Sequence, residues 1–201
     1  MIAAILGAGR TGKSTLALAL QRQLAAEGRR VARVGEVLRE FCAARGRKPH
    51  QHELTAIATE QTRRIAAAAQ QHDIVIADTT ALQVAVVSDI VFGDRSLYDT
   101  ALQAQAACAH TLLCALDLPW VADGPQREDP QQGEPFDARL RTALQRHAGG
   151  YAVIGGQGGQ RSTAALAVLQ PPPAHAPAPR WSWRCERCGD ANCERHLLPR
   201  G

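Results

Sequence analysis

Short apolar runs of strand length alternate with longer segments of helical period through the first 170 residues. Residues 1–6 are apolar, and residues 14–27 repeat Ala and Leu at helical spacing until Gly28 closes the segment. Residues 29–34 alternate basic and apolar positions and predict a second strand, followed over 35–41 by a loop turning into a short helix. After a break at 46–49, a long Ala/Gln-rich helix is expected over 50–71, then a nearly all-apolar strand over 73–77 that ends in Asp78-Thr79-Thr80. Helical patterns over 81–92 and 97–110 precede a fourth strand at 111–116, with Asp117 at its carboxyl end. A helix over 135–147, a fifth strand over 151–154 and a last helix over 161–170 complete the series. Five β/α alternations predict a three-layer α/β/α domain around a five-stranded parallel sheet.

Residues 119–130 interrupt this rhythm. They are polar, punctuated by Pro and Gly and too long for a simple connection, which predicts a lid. Residues 171–180, Pro-Pro-Pro-Ala-His-Ala-Pro-Ala-Pro-Arg, predict a stiff linker of polyproline character, so the main domain is expected over 1–170 and a small tail over 181–201.

Composition narrows the class. The 201 residues suit one domain with some left over, and an apolar share of 45% with only 4% aromatics means that Ala, Leu, Val and Ile fill the core. The net charge of +4 is spread along the chain and neither demands nor excludes a polyanionic partner. No run of apolar residues has the length of a membrane span, and no basic segment precedes the first apolar run, so a cytoplasmic setting is expected. In that setting Cys42, Cys108 and Cys114 read as reduced, buried small residues. Lys13 and Lys48 are the two lysines of a chain whose other basic residues are arginines, which singles out Lys13.

Lys13 lies in Gly7-Ala8-Gly9-Arg10-Thr11-Gly12-Lys13-Ser14, a G-x-x-x-x-G-K-S pattern between a strand and a helix. Glycines let successive N–H groups converge on an anion, and the following helix adds the positive end of its dipole. Gly7, Gly9, Thr11, Gly12, Lys13, Ser14 and Thr15 are therefore expected to cradle the phosphates of ATP. Within that cradle Lys13 reaches the terminal phosphates and Ser14 ligates Mg²⁺. Asp78, after an apolar strand, reads as the carboxylate that orients the same Mg²⁺, and Glu36, at the end of the second strand, as a base for an acceptor hydroxyl. Arg39 and Glu40 are candidates for substrate contact, Arg127 in the lid for the transferring phosphoryl group, and Gly155 and Gly156 for close approach of the backbone to a purine.

These stations resemble the ribosylnicotinamide kinase domain of the NadR type, within the P-loop ATPase and kinase superfamily. The carrying residues are 7–14, Glu36-Val37-Leu38-Arg39-Glu40-Phe41, Ile76-Ala77-Asp78-Thr79-Thr80, and Trp120-Val121-Ala122-Asp123-Gly124 with Arg127. The resemblance spans residues 1 to about 168, with Thr80 standing where the family often has a second acidic residue. It implies ATP-dependent transfer of the γ-phosphate to the 5′-hydroxyl of a small riboside, nicotinamide riboside. Lys13 and Ser14 would then serve ATP and Mg²⁺, Asp78 the metal or acceptor hydroxyl, Glu36, Arg39, Glu40 and Asp123 the substrate, and Arg127 the lid. The alternative is a nucleotide-gated regulatory ATPase, which riboside-dependent ADP release would distinguish from a kinase.

In the tail, Cys185, Cys188, Cys193 and His196 form C-x2-C-x4-C-x2-H, a ligand set able to close a tetrahedral structural Zn²⁺ site. So short a segment buries too little surface to fold without such a staple. Four arginines against three acidic residues leave the tail near neutral, which argues against nucleic acid as its partner. Nothing in the pattern sets an oligomeric state.

Overall fold

The computed structural model describes residues 1–118, 133–146 and 149–170. The chain divides into two units, Met1–Gln170 and Pro171–Gly201, and the second lies outside the described residues. So do the lid segment with Asp123 and Arg127, and the tail ligands Cys185, Cys188, Cys193 and His196.

The first unit runs β1 (Ile2–Leu6), α1 (Lys13–Ala26), β2 (Val31–Val34), α2 (Val37–Arg45), α3 (Gln51–Gln71) and β3 (Ile74–Asp78). It continues through α4 (Ala81–Phe92), α5 (Tyr98–Gln105), β4 (His110–Cys114), α6 (Gly133–Gln145), β5 (Ala152–Ile154) and α7 (Gly159–Leu169). The five strands are all parallel, in the order β2-β3-β1-β4-β5, so β1 is central and β3 lies beside it. Parallel strands require crossovers, and the helices that provide them cover both faces. Alternation along each strand sorts side chains between two cores. Ala3, Ile5, Ile74, Ile76, Leu112 and Cys114 pack with Leu16, Leu20 and Leu24 of α1 and Leu169 of α7. Leu6 and Leu113 pack instead with α3, α4 and α6. Ile74, Ile76 and Asp78 share one parity on β3, so the last carboxylate of the strand belongs to the α1 side of the sheet.

Several boundaries differ from the sequence pattern by one to five residues, two of them at α5 and α7. The helix expected to 110 stops at Gln105, because the Ala109 N–H is taken by the Ile2 carbonyl (2.9 Å) as β4 joins the sheet. Helix α7 begins at Gly159, two residues early, with Gly158 in a positive-φ conformation before it. Helix α3 is anchored at its start by Glu53, which accepts from the His50 N–H (2.8 Å) and is gripped at both oxygens by Arg47. Those bonds hold the Glu53 carboxyl down at about 2. Among the described residues no helix is long and apolar enough to cross a membrane.

Candidate active site

The carboxyl ends of β1, β2 and β3 bring three segments together, as expected for ligand sites on open α/β sheets. The loop after β1 curls through positive φ at Gly7 (147°), Arg10 (60°) and Gly12 (76°). A Cβ on Gly7 would come within 2.9 Å of Thr11 Oγ1 and 3.1 Å of the Cys114 carbonyl, so this position tolerates only glycine. Gly12 takes the N-cap position of α1, and no side chain caps that helix, which leaves its first N–H groups open to an anion. Thr11 Oγ1 donates to the Ala8 carbonyl (2.9 Å) and stiffens the loop from within.

Lys13 is 4% exposed, and its Nζ donates to the Ala8 carbonyl across the loop (2.7 Å). Burial pushes its ammonium below the ordinary value, while Glu36, Cys114 and Asp78 pull it back up. Glu36 follows β2, Asp78 ends β3 and Cys114 ends β4, so three strand ends act on one cation.

Asp78 is 1% exposed. Its Oδ2 lies 4.0 Å from Arg33, and among the described residues its Oδ1 has no hydrogen-bond partner. A buried carboxylate oxygen without a donor is costly unless a cation or a substrate hydroxyl completes it. Thr79, directly after it, is a buried β-branched residue at φ 84°, a conformation such residues rarely adopt. The strain is held by its N–H, which donates to the Ile5 carbonyl of β1 (3.1 Å). Thr80 faces a different network: it caps α4 through Leu82 and donates to Gln105 (2.7 Å).

Glu36 sits at the N-cap of α2 with its carboxylate mostly buried, paired at 2.5 Å with Arg39. Arg39 also donates to Ser14 Oγ (2.8 Å), so a single guanidinium joins the candidate base to the candidate metal ligand. Glu40 pairs with Arg64 of α3 (2.5 Å), on the outer side of the same loop. The loop carrying Glu36 is pinned by a residue that sequence reasoning missed. Gln61 of α3, 1% exposed, accepts from the Val37 N–H (2.9 Å) and donates to the Gly35 carbonyl (3.1 Å). A glutamine on the apolar stripe of Leu54, Ile57, Ala58 and Ile65 was the available signal.

On the α1–α7 side a cleft of about 340 Å³ opens beside the loop, lined by Gly12, Thr15, Leu118, Gly158, Gly159 and Arg161 among others. Gly155 and Gly156 do not line it. They lie against Asp117, whose Oδ2 accepts from the Gly156 N–H (2.5 Å). Gly158 and Gly159, a few residues further on, border the cleft together with Gly12.

The chemistry of these groups fits a magnesium nucleotide: glycine-lined space for phosphates, an ammonium at its centre, and a hydroxyl and an orphaned carboxylate oxygen as hard ligands for Mg²⁺. A family model described as an AAA domain (AAA_28) matches residues 3–161. The fold is similar to a NadR protein in complex with NR, at TM-score 0.66 and 18% identity over 84% of this chain and 50% of that one. A second NadR structure, with NAD and AMP-PNP, matches at TM-score 0.62 and 17% identity over 83% and 48%. A deoxyadenosine kinase from M. mycoides, with dCMP and a flexible dCDP bound, matches at TM-score 0.54 and 13% identity over 84% and 97%. This chain spans about half the length of the NadR chains it matches. None of the curated proteins matches it by sequence. With most of its length inside the family model and its strands in this order, the chain belongs to the AAA_28 family of AAA domains and has a P-loop kinase-type α/β fold.

Proposed function

We propose that the protein is a small-molecule kinase that transfers the γ-phosphate of ATP to the 5′-hydroxyl of a riboside, nicotinamide riboside foremost. The observation that carries this reading is the pair of carboxylates, Glu36 and Asp78, that act on the Lys13 ammonium, with Glu36 joined through Arg39 to Ser14 of the phosphate loop. A module that only bound ATP has no need of a second carboxylate there. The NadR structure with NR bound has the same fold and supports the choice of acceptor.

In this mechanism the loop N–H groups and Lys13 hold the β- and γ-phosphates, and the cleft beside Thr15 and Leu118 takes the base. Ser14 Oγ and Asp78 Oδ1 would hold Mg²⁺, which neutralises charge on the phosphate oxygens when bound. Arg39, which donates to Ser14 Oγ, would give up that bond were Ser14 to ligate the metal, leaving its guanidinium for the acceptor or the transferring group. Glu36 accepts the proton of the acceptor hydroxyl as that oxygen bonds to the γ-phosphorus, and the bond from the γ-phosphorus to the bridging oxygen breaks to release ADP. Asp123 is proposed to contact the acceptor and Arg127 the transferring phosphoryl group. In the tail, Cys185, Cys188, Cys193 and His196 are proposed to hold a structural zinc, testable by metal analysis of the wild type and of Cys185→Ser.

Purified protein incubated with ATP, Mg²⁺ and a panel of nucleosides tests the reading through ADP release and product mass. Nicotinamide riboside is expected to stimulate ADP release and to gain one phosphate. An ATPase background that no nucleoside raises would overturn it in favour of a nucleotide-gated module.

A further inference from the structure

Arg161, at the start of α7, is 5% exposed and lies 150 residues from the loop it touches. Its Nη1 donates to the Thr11 carbonyl (2.5 Å). Its Nη2 donates to the carbonyls of Ala115 (3.1 Å) and Ile154 (3.2 Å), at the ends of β4 and β5, and to Asp117 Oδ1 (2.8 Å). The other oxygen of Asp117 accepts from the Gly156 N–H. One guanidinium and one carboxylate thus connect the phosphate loop, two strand ends and the β5–α7 loop that leads to the cleft.

The contact with Thr11 has a specific consequence. A trans peptide carries its C=O and the next N–H on opposite sides, so the bond from Arg161 to the Thr11 carbonyl also sets the direction of the Gly12 N–H. A Cβ on Gly12 would lie 3.1 Å from Arg161 Nη1, which is how closely the guanidinium is pressed against this peptide. Lysine does not substitute for it, because a single ammonium does not span a loop carbonyl and a carboxylate in one plane.

We propose that Arg161 and Asp117 are positioning residues that couple the two ends of the nucleotide site: they set the phosphate loop's shape according to the β5–α7 loop beside the base cleft. This rests on the nucleotide-binding part of the proposed function. Asp117 is the informative member: its partners among the described residues are the Gly156 N–H and Arg161, and of these Arg161 is the one that reaches the phosphate loop.

The test uses the full chain and calorimetric titration with Mg·ATP and with Mg·tripolyphosphate, which lacks a base and never enters the cleft. Asp117→Asn is expected to weaken tripolyphosphate about tenfold, with an unchanged circular dichroism spectrum. Adding Asp117→Asn to Arg161→Lys is expected to cost nothing beyond Arg161→Lys alone. Asp117 is partly exposed and asparagine is isosteric, so this variant stands by itself if Arg161→Lys does not fold. A purely structural role would lower the melting temperature and leave tripolyphosphate affinity untouched. That result, with Mg·ATP still bound by the wild type, overturns the coupling and spares the nucleotide site. A wild type that binds neither ligand overturns both.

Discussion

The phosphate end of the site and the proposed acceptor end are built in different ways. Residues 7–14 are contiguous and act mainly through backbone: positive φ at Gly7 and Gly12, open N–H groups at the start of α1, and one buried ammonium. The proposed acceptor end draws Glu36 from the β2–α2 loop, Arg39 from α2 and Gln61 from α3, and acts through side chains that other side chains must hold. A backbone cradle recognises a shape common to all nucleoside triphosphates, whereas a side-chain cluster assembled from three elements can be changed to suit one acceptor. Common chemistry sits where the chain is locally determined, and specificity where it is not.

This contrast predicts separable losses. Lys13→Ala strikes the cradle at its single charge and is expected to reduce Mg·ATP affinity at least about a hundredfold, read by calorimetry. Binding within a fewfold of wild type would show that the backbone alone holds the nucleotide. Glu36→Gln strikes the other end and is expected to lower kcat for the riboside about a hundredfold while leaving Mg·ATP affinity nearly unchanged. If ATP affinity fell in step with kcat, the two ends would not be separable. Gln61→Leu leaves the Val37 N–H and the Gly35 carbonyl without their partner and is expected to cost about 1–3 kcal/mol in denaturant unfolding, with a smaller fall in kcat than Glu36→Gln.

The smallest effect is a proton count. Burial lowers the Lys13 ammonium in the free protein, and bound phosphates favour its charged form and raise it again. At alkaline pH, between the lowered value and the ordinary 10.5, Mg·ATP binding is therefore expected to take up a fraction of a proton. Titrations in buffers of differing ionisation enthalpy measure this. Proton release on binding would contradict the sign.

The phosphate loop was legible in the sequence because its geometry is a property of neighbouring residues: glycines allow the curl, and a strand and a helix fix its two ends. Asp78 was legible as a carboxylate after an apolar run, and the sheet order explains it, since β3 lies directly beside β1. Arg161 reads locally as an ordinary helical position and Gln61 only as a polar residue on an apolar stripe, so neither role was legible. Their roles come from backbone carbonyls and N–H groups that arrive from other elements. What surrounds the glycines after β5 was not legible for a similar reason: Asp117 accepts from the Gly156 N–H, and Gly158 and Gly159 border the cleft beside the phosphate loop.

By itself the sequence determined the order of strands and helices, the parallel class and the phosphate cradle. Each of these follows from hydrophobic period or from backbone freedom within a few adjacent residues. Tertiary structure decided which polar groups stay satisfied when buried and which are left open, as at Asp78 Oδ1. That decision depends on donors and acceptors far apart in the chain, and only folding sets the distances between them.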